Sequence, residues 1–399
     1  MLVPKLRFKR EDGTDYPEWN KDKWLSLGNF VSSGTLSKSD LSDTGTPCIL
    51  YGELYTKYGE VAHTIYSKTS AEVHTFSQAD DVILPKSGET PEDISTATCI
   101  PFDSISLGGD LIVFRHNEKV IGRYLSYLIS NRTKNAIASI AQGKSVVHIN
   151  EKSLSNIVLP YPVIEEQQKI ADFFFTVGEV ITQSEAEVQN LEQQKKSAMQ
   201  KIFSQELRFK REDGSEYPEW EETLLGKIGE VAMCKRILKE QTSDKGDVPF
   251  FKISTFGRTP DAYITYQLFE EFKKTYRFPQ KGAVLISAAG TVGKIVRYNG
   301  EDAYYQDSNI VWLEHNDKVT DDFLYQFYQQ VSWKGLEGST IKRLYNKNLL
   351  ETSISLPCFE EQQKIADFLS ALDEAINYAK QELDKWKELK KGLLQQMFV

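Results

Sequence analysis

The sequence predicts a mixed α/β (α+β) protein with two domains, each followed by a long helix. The two helices are expected to form an antiparallel coiled coil with internal pseudo-two-fold symmetry. Three observations predict this. LRFKREDGTDYPEW at Leu6–Trp19 returns as LRFKREDGSEYPEW at Leu207–Trp220, with 12 of 14 residues identical. EEQQKIADF at Glu165–Phe173 returns unchanged at Glu360–Phe368. Between each such pair lies a long segment that hardly repeats.

The first motif recurs at an offset of 201 residues and the second at 195, so the second insert is shorter by six. The 195 offset holds from Gly143 and Gly338 onward and pairs Lys152 with Lys347, Leu154 with Leu349, Pro162 with Pro357 and Lys195 with Lys390. A period this long exceeds that of solenoid repeats and marks duplication of a whole domain plus its helix. The expected segments are a frame segment over 1–23, a domain over 24–162 and a helix over 163–206. A second frame segment over 207–222, a second domain over 223–357 and a helix over 358–399 follow.

Both inserts read as mixed α/β. β-type runs occur at Asp81–Pro85, Leu111–Arg115, Val284–Ser287 and Asn309–Leu313. A late helix is predicted over Gly122–Ala141 and another over Asp321–Leu336, each preceded by a repeated turn, HNEKV at His116–Val120 and HNDKV at His315–Val319. Gly143 and Gly338 are placed to end those helices. The sequences then diverge, to Lys144 and Ser145 in one insert and to Ser339, Thr340, Lys342 and Arg343 in the other.

Each EEQQ motif opens a heptad-like stripe. Ile170, Phe174, Val177, Ile181, Ser184, Val188, Leu191, Lys195, Ala198 and Ile202 step by four and three residues, as do Ile365, Leu369, Leu372, Ile376, Ala379, Leu383, Trp386, Lys390, Leu393 and Met397. That spacing places each set on one coiled-coil seam, with a lysine at the same position in both. About 38 residues would rise roughly 57 Å. Prolines at Pro160, Pro162 and Pro357 stop the preceding strand. Glu165, Glu166, Glu360 and Glu361 fall in the first turn, where a carboxylate complements the helix dipole. Capping explains them better than paired catalytic carboxylates.

Composition restricts the function. The chain carries a net charge of −9. The segment charges are −3 for Trp24–Val158, +2 for Thr223–Leu356, −4 for Glu165–Glu206 and −2 for Phe359–Val399. Acidity therefore sits in the helices, and the second insert is free to carry a basic face. Cys48, Cys99, Cys234 and Cys358 show no paired spacing, which argues against a disulfide framework or zinc cluster. No apolar run approaches a membrane span. The five histidines lack zinc-like spacing, and there is no GxSxG elbow, no GxGxxG fingerprint and no NPPY-type tetrapeptide. SAAGTVGK at Ser287–Lys294 is not a P-loop, because Ala288 stands where the first glycine belongs and Ile295 follows Lys294. It reads either as a tight hairpin or as a glycine loop open to phosphate. No catalytic or metal-ligating set emerges.

Two variable domains, each followed by a helix opening on EEQQKIADF, resemble the specificity subunit of type I restriction–modification systems. Lys281–Ser287 with its GTVGK continuation, and the Gly338–Leu356 run, add to the resemblance, which covers essentially the whole chain. The resemblance implies that each insert is a target recognition domain reading one half of a bipartite asymmetric site in double-stranded DNA. It implies that the helices set the unread gap, and that this prokaryotic, cytoplasmic subunit is non-catalytic and holds no cofactor. Partners would be two modification subunits, which use S-adenosylmethionine to methylate adenine N6, and two restriction subunits requiring ATP and Mg²⁺. DNA-contact candidates are Tyr51, Lys86, Ser87, Lys144 and Ser145 in the first insert. In the second they are Lys252, Ser254, Arg258, Thr291, Lys294, Lys342 and Arg343. Partner-docking candidates are Glu165, Gln167, Gln168 and Phe173, with Glu360, Gln362, Gln363 and Phe368. The competing reading is a coiled-coil adaptor with two protein-binding domains and no DNA role.

Overall fold

The computed structural model describes residues 4–143, 145–333 and 343–398. The chain forms two compact units, Met1–Val188 with Tyr378–Val399, and Gln189–Asn377.

In the first unit the strands used below are β1 Asn20–Lys23, β2 Gly28–Val31, β3 Thr46–Ile49, β4 Asp81–Pro85, β5 Thr98–Ile100, β6 Ser106–Leu107, β7 Leu111–His116 and β8 Val158–Tyr161. The central sheet has the order β2-β7-β4-β5, all antiparallel. β4 is buried along its whole length. Side chains alternate across a strand, so Val82, Leu84, Ile112 and Phe114 face one core, which also takes in Trp24 and Tyr124. Ile83, Leu111 and Val113 face a second core with Ile49, Ile100 and Leu107. Two covered faces account for a continuous apolar run in an antiparallel strand, which otherwise alternates with polar residues.

The second unit repeats this plan. Its strands are β9 Glu221–Leu224, β10 Gly229–Ala232, β11 Val248–Phe251, β12 Val284–Ser287, β13 Ile295–Arg297, β14 Tyr304–Tyr305, β15 Ile310–His315 and β16 Ser353–Leu356. Its sheet has the order β10-β15-β12-β13. Val284, Ile286, Val311 and Leu313 face one core, and Leu285, Ile310 and Trp312 the other. All four predicted β runs are strands of these sheets.

The first late helix differs from expectation. It consists of α1 Gly122–Leu128 and α2 Lys134–Ile140, joined by a π-helical turn at Ile129–Thr133. There the Ser130 hydroxyl is paired with both the N–H and the C=O of Ala97. Gly143 lies beyond the helix end and is no C-cap. Its φ of +130° shapes a turn in which a Cβ would meet the Val146 carbonyl at 1.9 Å. The second late helix ends at Gln330, short of the expected Leu336, while Gly338 lies outside the described residues.

The two long helices are α3 Ile164–Phe203 and α6 Phe359–Met397, with the second unit's shorter helices α4 at Tyr266–Thr275 and α5 at Asp321–Gln330. Within the first unit Phe174 meets Phe398, and Glu185 meets Lys387 at 2.7 Å. Residue number rises along one helix as it falls along the other, so the segments are antiparallel. Every predicted seam position is buried or half-buried. The seam lysines are retained through ion pairs. In the second unit Lys195 reaches Asp373 and Gln329, both at 2.5 Å. In the first, Lys390 reaches Glu60 at 2.7 Å.

The repeated motifs are a latch. Glu166 is fully buried and receives both Nε (3.0 Å) and Nη2 (2.6 Å) of Arg7, whose Nη2 also donates to the Pro17 carbonyl. Glu361 receives Arg208 in the same way at 3.1 and 2.9 Å, plus the Trp220 indole N–H at 3.0 Å. Capping therefore misdescribes Glu166 and Glu361, since both turn inward to hold the frame segment. It suits Glu360, whose carboxyl is held below its ordinary range by first-turn N–H bonding.

Gln167 and Gln362 are also buried, which removes them from any docking surface. Gln167 donates to the Lys119 and Pro162 carbonyls and accepts from the Ile121 N–H. Gln362 does the same with Lys318, Pro357 and Thr320. Each thus ties the HNEKV or HNDKV turn to its long helix.

Removing one partner of a buried ion pair strands the other charge. Arg7→Ala is expected to lower stability in urea unfolding by about 3–5 kcal/mol, and replacing Arg7 and Glu166 together by Met should recover much of that loss.

The two units also carry histidines of opposite sign. His63 packs on Phe175 and beneath Gly178, where a Cβ would come within 2.3 Å of Nε2. Burial, with Lys390 nearby, holds its pKa below the ordinary 6.5, against opposing pulls from Glu60 and Glu179. Its contribution is complete above pH 6.5 and is lost as pH falls through the folded value, because there the unfolded chain holds the proton more readily. His315, bonded to Asp321 at 3.2 Å, is raised above 6.5. Its contribution is complete below 6.5 and fades as pH rises through the folded value. His63→Gln should flatten the loss of thermal stability of the first unit between about pH 7 and 5, and His315→Gln should remove an acid-side gain in the second.

Candidate nucleic-acid interface

In each unit the loops at one end of the sheet converge. β3 runs parallel to β6, so the chain leaving β3 meets the turn that precedes β7. Gly108 N–H donates to the Ile49 carbonyl at 2.9 Å, Gly109 N–H to Leu36 at 2.9 Å, and Lys86 N–H to Asp110 at 2.8 Å. This brings Tyr51, Lys86 and Asp110 to one edge. Tyr51 is 37% exposed and lines a cleft of about 660 Å³ with Lys38, Lys57 and Asp110.

The same construction recurs in the second unit. β11 runs parallel to β14, and Gln306 N–H donates to the Phe251 carbonyl at 2.9 Å. The Gln306 side chain accepts from the Ile253 N–H at 2.8 Å and so holds the 252–258 loop against the turn before β15. That turn passes through Ser308 at φ +54°, as its counterpart passes through Asp110 at φ +54°.

The hairpin reading of SAAGTVGK is the observed one, because β12 and β13 are antiparallel neighbours. Gly293 sits at φ +84° against Trp333, whose Nε1 would lie 2.7 Å from a Cβ. Ser254, Arg258 and Thr291 are exposed on these loops. Arg343 is half-buried, with Nη2 donating to the Ser308 carbonyl at 3.0 Å, and the next residue ties to Ala288 at 2.8 Å. Four loops, 252–258, 287–294, 306–309 and 343–345, thus form one surface.

Several candidates are corrected by their surroundings. Ser87 is buried and bonded to His148 Nδ1 at 2.8 Å, so it orders the edge without facing solvent. Lys294 donates to the Phe256 carbonyl at 2.6 Å, so it laces two loops together. Lys86 is shared with Glu151 at 3.3 Å and Lys252 with Asp261 at 2.8 Å, but both remain partly exposed. Ser145 is exposed. Lys144 and Lys342 lie outside the described residues. Sequence reasoning missed Gln306, which carries no local signal, while Tyr345, 62% exposed beside Arg343, belongs to the mixture of tyrosines and basic residues legible in the insert. The exposed side chains supply hydroxyl, guanidinium and phenol groups, which suit base edges and phosphates.

Glu165, Gln168 and Phe173 lie on the outer side of the latch, as do Glu360, Gln363 and Phe368. Phe173 packs on Phe8 and Phe368 on Phe209, each pair with centroids 5.7 Å apart. Gln168 and Gln363 donate to the aspartate one turn on, Asp172 and Asp367. Among the described residues no group of three or more His, Cys, Asp or Glu is arranged to hold a metal, and no helix is long and apolar enough to cross a membrane.

The family described as type I restriction modification DNA specificity domain matches residues 17–193 and again 217–387. A type I restriction enzyme specificity subunit of Haemophilus influenzae is 38% identical over 267 residues, covering 66% of this chain and 68% of that one. One from Methanocaldococcus jannaschii is 26% identical over 306 residues, covering 72% and 70%. The solved S subunit of the M. genitalium type I system shares the fold at TM-score 0.68 and 16% identity, over 100% of this chain and 99% of that one. A chain from a solved type I restriction–modification assembly matches at TM-score 0.53 and 19% identity, over 96% and 98%. With both of its halves matched, the chain belongs to the type I restriction–modification DNA specificity family.

Proposed function

We propose that this chain is the DNA sequence-recognition subunit of a type I restriction–modification complex, and that each mixed α/β domain reads one half of a bipartite asymmetric site. The observation that carries the reading is that the two units keep the latch and sheet and diverge in the strand-end loops. Identical partners need identical docking surfaces, while different half-sites need different readers. The first half falls to the edge with Tyr51, Lys86 and Ser145; the candidate Lys144 lies outside the described residues. The second falls to Lys252, Ser254, Arg258, Thr291 and Arg343; the candidate Lys342 lies outside the described residues.

The remaining parts of the reading concern the complex. The helices set the unread gap, and their length supports this. A 40-residue helix rises about 60 Å, against roughly 34 Å for one DNA turn. Two modification subunits, binding S-adenosylmethionine and methylating adenine N6, dock on the twin surfaces around Glu165, Gln168 and Phe173 and around Glu360, Gln363 and Phe368. Two restriction subunits supply cleavage with ATP and Mg²⁺. The adaptor reading predicts no DNA affinity even with partners present, and membership of a DNA specificity family does not favour it.

Co-expression with the modification subunit, followed by single-molecule mapping of N6-methyladenine, is expected to give a two-part motif with a fixed gap. Exchanging Trp24–Val158 for another insert should then change one half only; absence of new methylation beside a competent partner overturns the reading. Arg343→Ala is expected to relax the second half alone, by about 1–3 kcal/mol in binding to base-substituted duplexes. An equal loss on every sequence would reassign Arg343 to phosphate.

A further inference from the structure

The first unit holds a second cleft, of about 540 Å³, where the 55–66 segment faces the middle of α3 and the C-terminal end of α6. Lys57, Lys387 and Lys391 line it with Tyr58 and Tyr66. The two tyrosine rings lie 5.5 Å apart, and Tyr66 is 54% exposed. Its acidic lining is Glu60 and Glu185. Glu60 is occupied by Lys390, whose side chain is only 20% exposed. Lys57, Lys387 and Lys391 are 46%, 48% and 65% exposed, so their ammonium groups remain accessible. The pairs of Lys387 with Glu185 at 2.7 Å and of Lys391 with Glu388 at 3.9 Å are of the solvent-exposed kind that hold weakly and yield to salt, whereas Lys57 is held at 2.7 Å by Glu53, a buried carboxylate. Such a cationic lining is unexpected in a chain of net charge −9.

The position of the cleft supplies the second argument. Thr56 and Lys57 line both this cleft and the one that holds Tyr51 and Asp110. The proposed base-reading edge therefore runs over Lys57 directly into the lysine cleft. A DNA strand leaving that edge meets ammonium groups and phenol hydroxyls, the groups that contact phosphate without reading sequence.

We infer that this cleft is a track for the phosphate backbone of double-stranded DNA beside the first half-site, with Lys387 and Lys391 as its cations. The inference rests on the DNA-recognition reading and adds to it a sequence-independent affinity element carried by the end of α6.

The test is fluorescence anisotropy of the full chain, purified with its modification subunit, on a duplex carrying the two-part site and on a scrambled duplex, over a salt series. Lys387→Gln with Lys391→Gln should weaken both duplexes by the same several-fold factor. It should also make the slope of log K against log salt shallower by about 2, since each phosphate contact contributes about 0.9. Glu185→Gln, which frees Lys387, should strengthen both; loss of a merely structural ion pair would do the opposite. Lys391→Gln alone, at an exposed position, gives a change of about 1 in slope without threatening the fold. An unchanged slope, a loss confined to the site-bearing duplex, or weaker binding by the Glu185 variant overturns the track. If the wild-type complex fails to prefer the site-bearing duplex, the recognition reading itself falls; a preserved preference with an unchanged slope removes only the track.

Discussion

Glu166 and Glu361 lose all contact with water, and an ionised carboxylate there is tolerable only because Arg7 and Arg208 reach it with two hydrogen bonds each. Desolvating a carboxylate costs several kcal/mol, and only close geometry with a guanidinium fork offsets it. The same turn carries Gln167 or Gln362, whose amide meets three backbone groups of the preceding segment. Frame segment, sheet-to-helix turn and long helix are therefore locked by two adjacent side chains. Any substitution that keeps one partner leaves a buried charge or an unpaired buried amide. That explains why EEQQKIADF and LRFKRED appear twice almost unchanged while the residues between them drift.

The seam lysines show how one sequence position serves two surroundings. Lys195 and Lys390 correspond under the 195-residue offset. Lys195 is nearly buried and answers Asp373 from the facing helix segment, within a network that includes Gln326 and Gln329. Lys390 keeps more water and answers Glu60 from the domain itself. A single polar group in an apolar seam specifies register, because any slip strands the charge. The duplication kept the lysine, and each unit provides its own acid.

The converging loop edges follow from sheet topology. In both units a parallel strand pair delivers one loop against the turn before the last sheet strand, and a hairpin or short strand delivers another. The covered sheet faces commit the strand interiors to packing. Variation without loss of the core is left to the strand ends, where Tyr51, Arg258 and Thr291 are exposed. Core packing and sequence variation thus occupy different parts of the same strands.

Duplication, the mixed α/β class, the four main strands and the seam were legible in the sequence, because repeats and periodicity are local signals that burial of one helix stripe or sheet core imposes. The buried roles of Glu166, Gln167, Glu361 and Gln362 were not. A first-turn glutamate reads as a cap until a guanidinium from some 150 residues away arrives to turn it inward. Ser87 and Lys294 read as surface contacts until His148 and the Phe256 carbonyl claimed them. The break of the late helix at Ile129–Thr133 depended on Ala97, contributed by a different strand region. By itself the sequence determined which elements form and that the chain holds two of each. Only the tertiary structure decided which polar side chains face water, since that depends on partners far away in the chain.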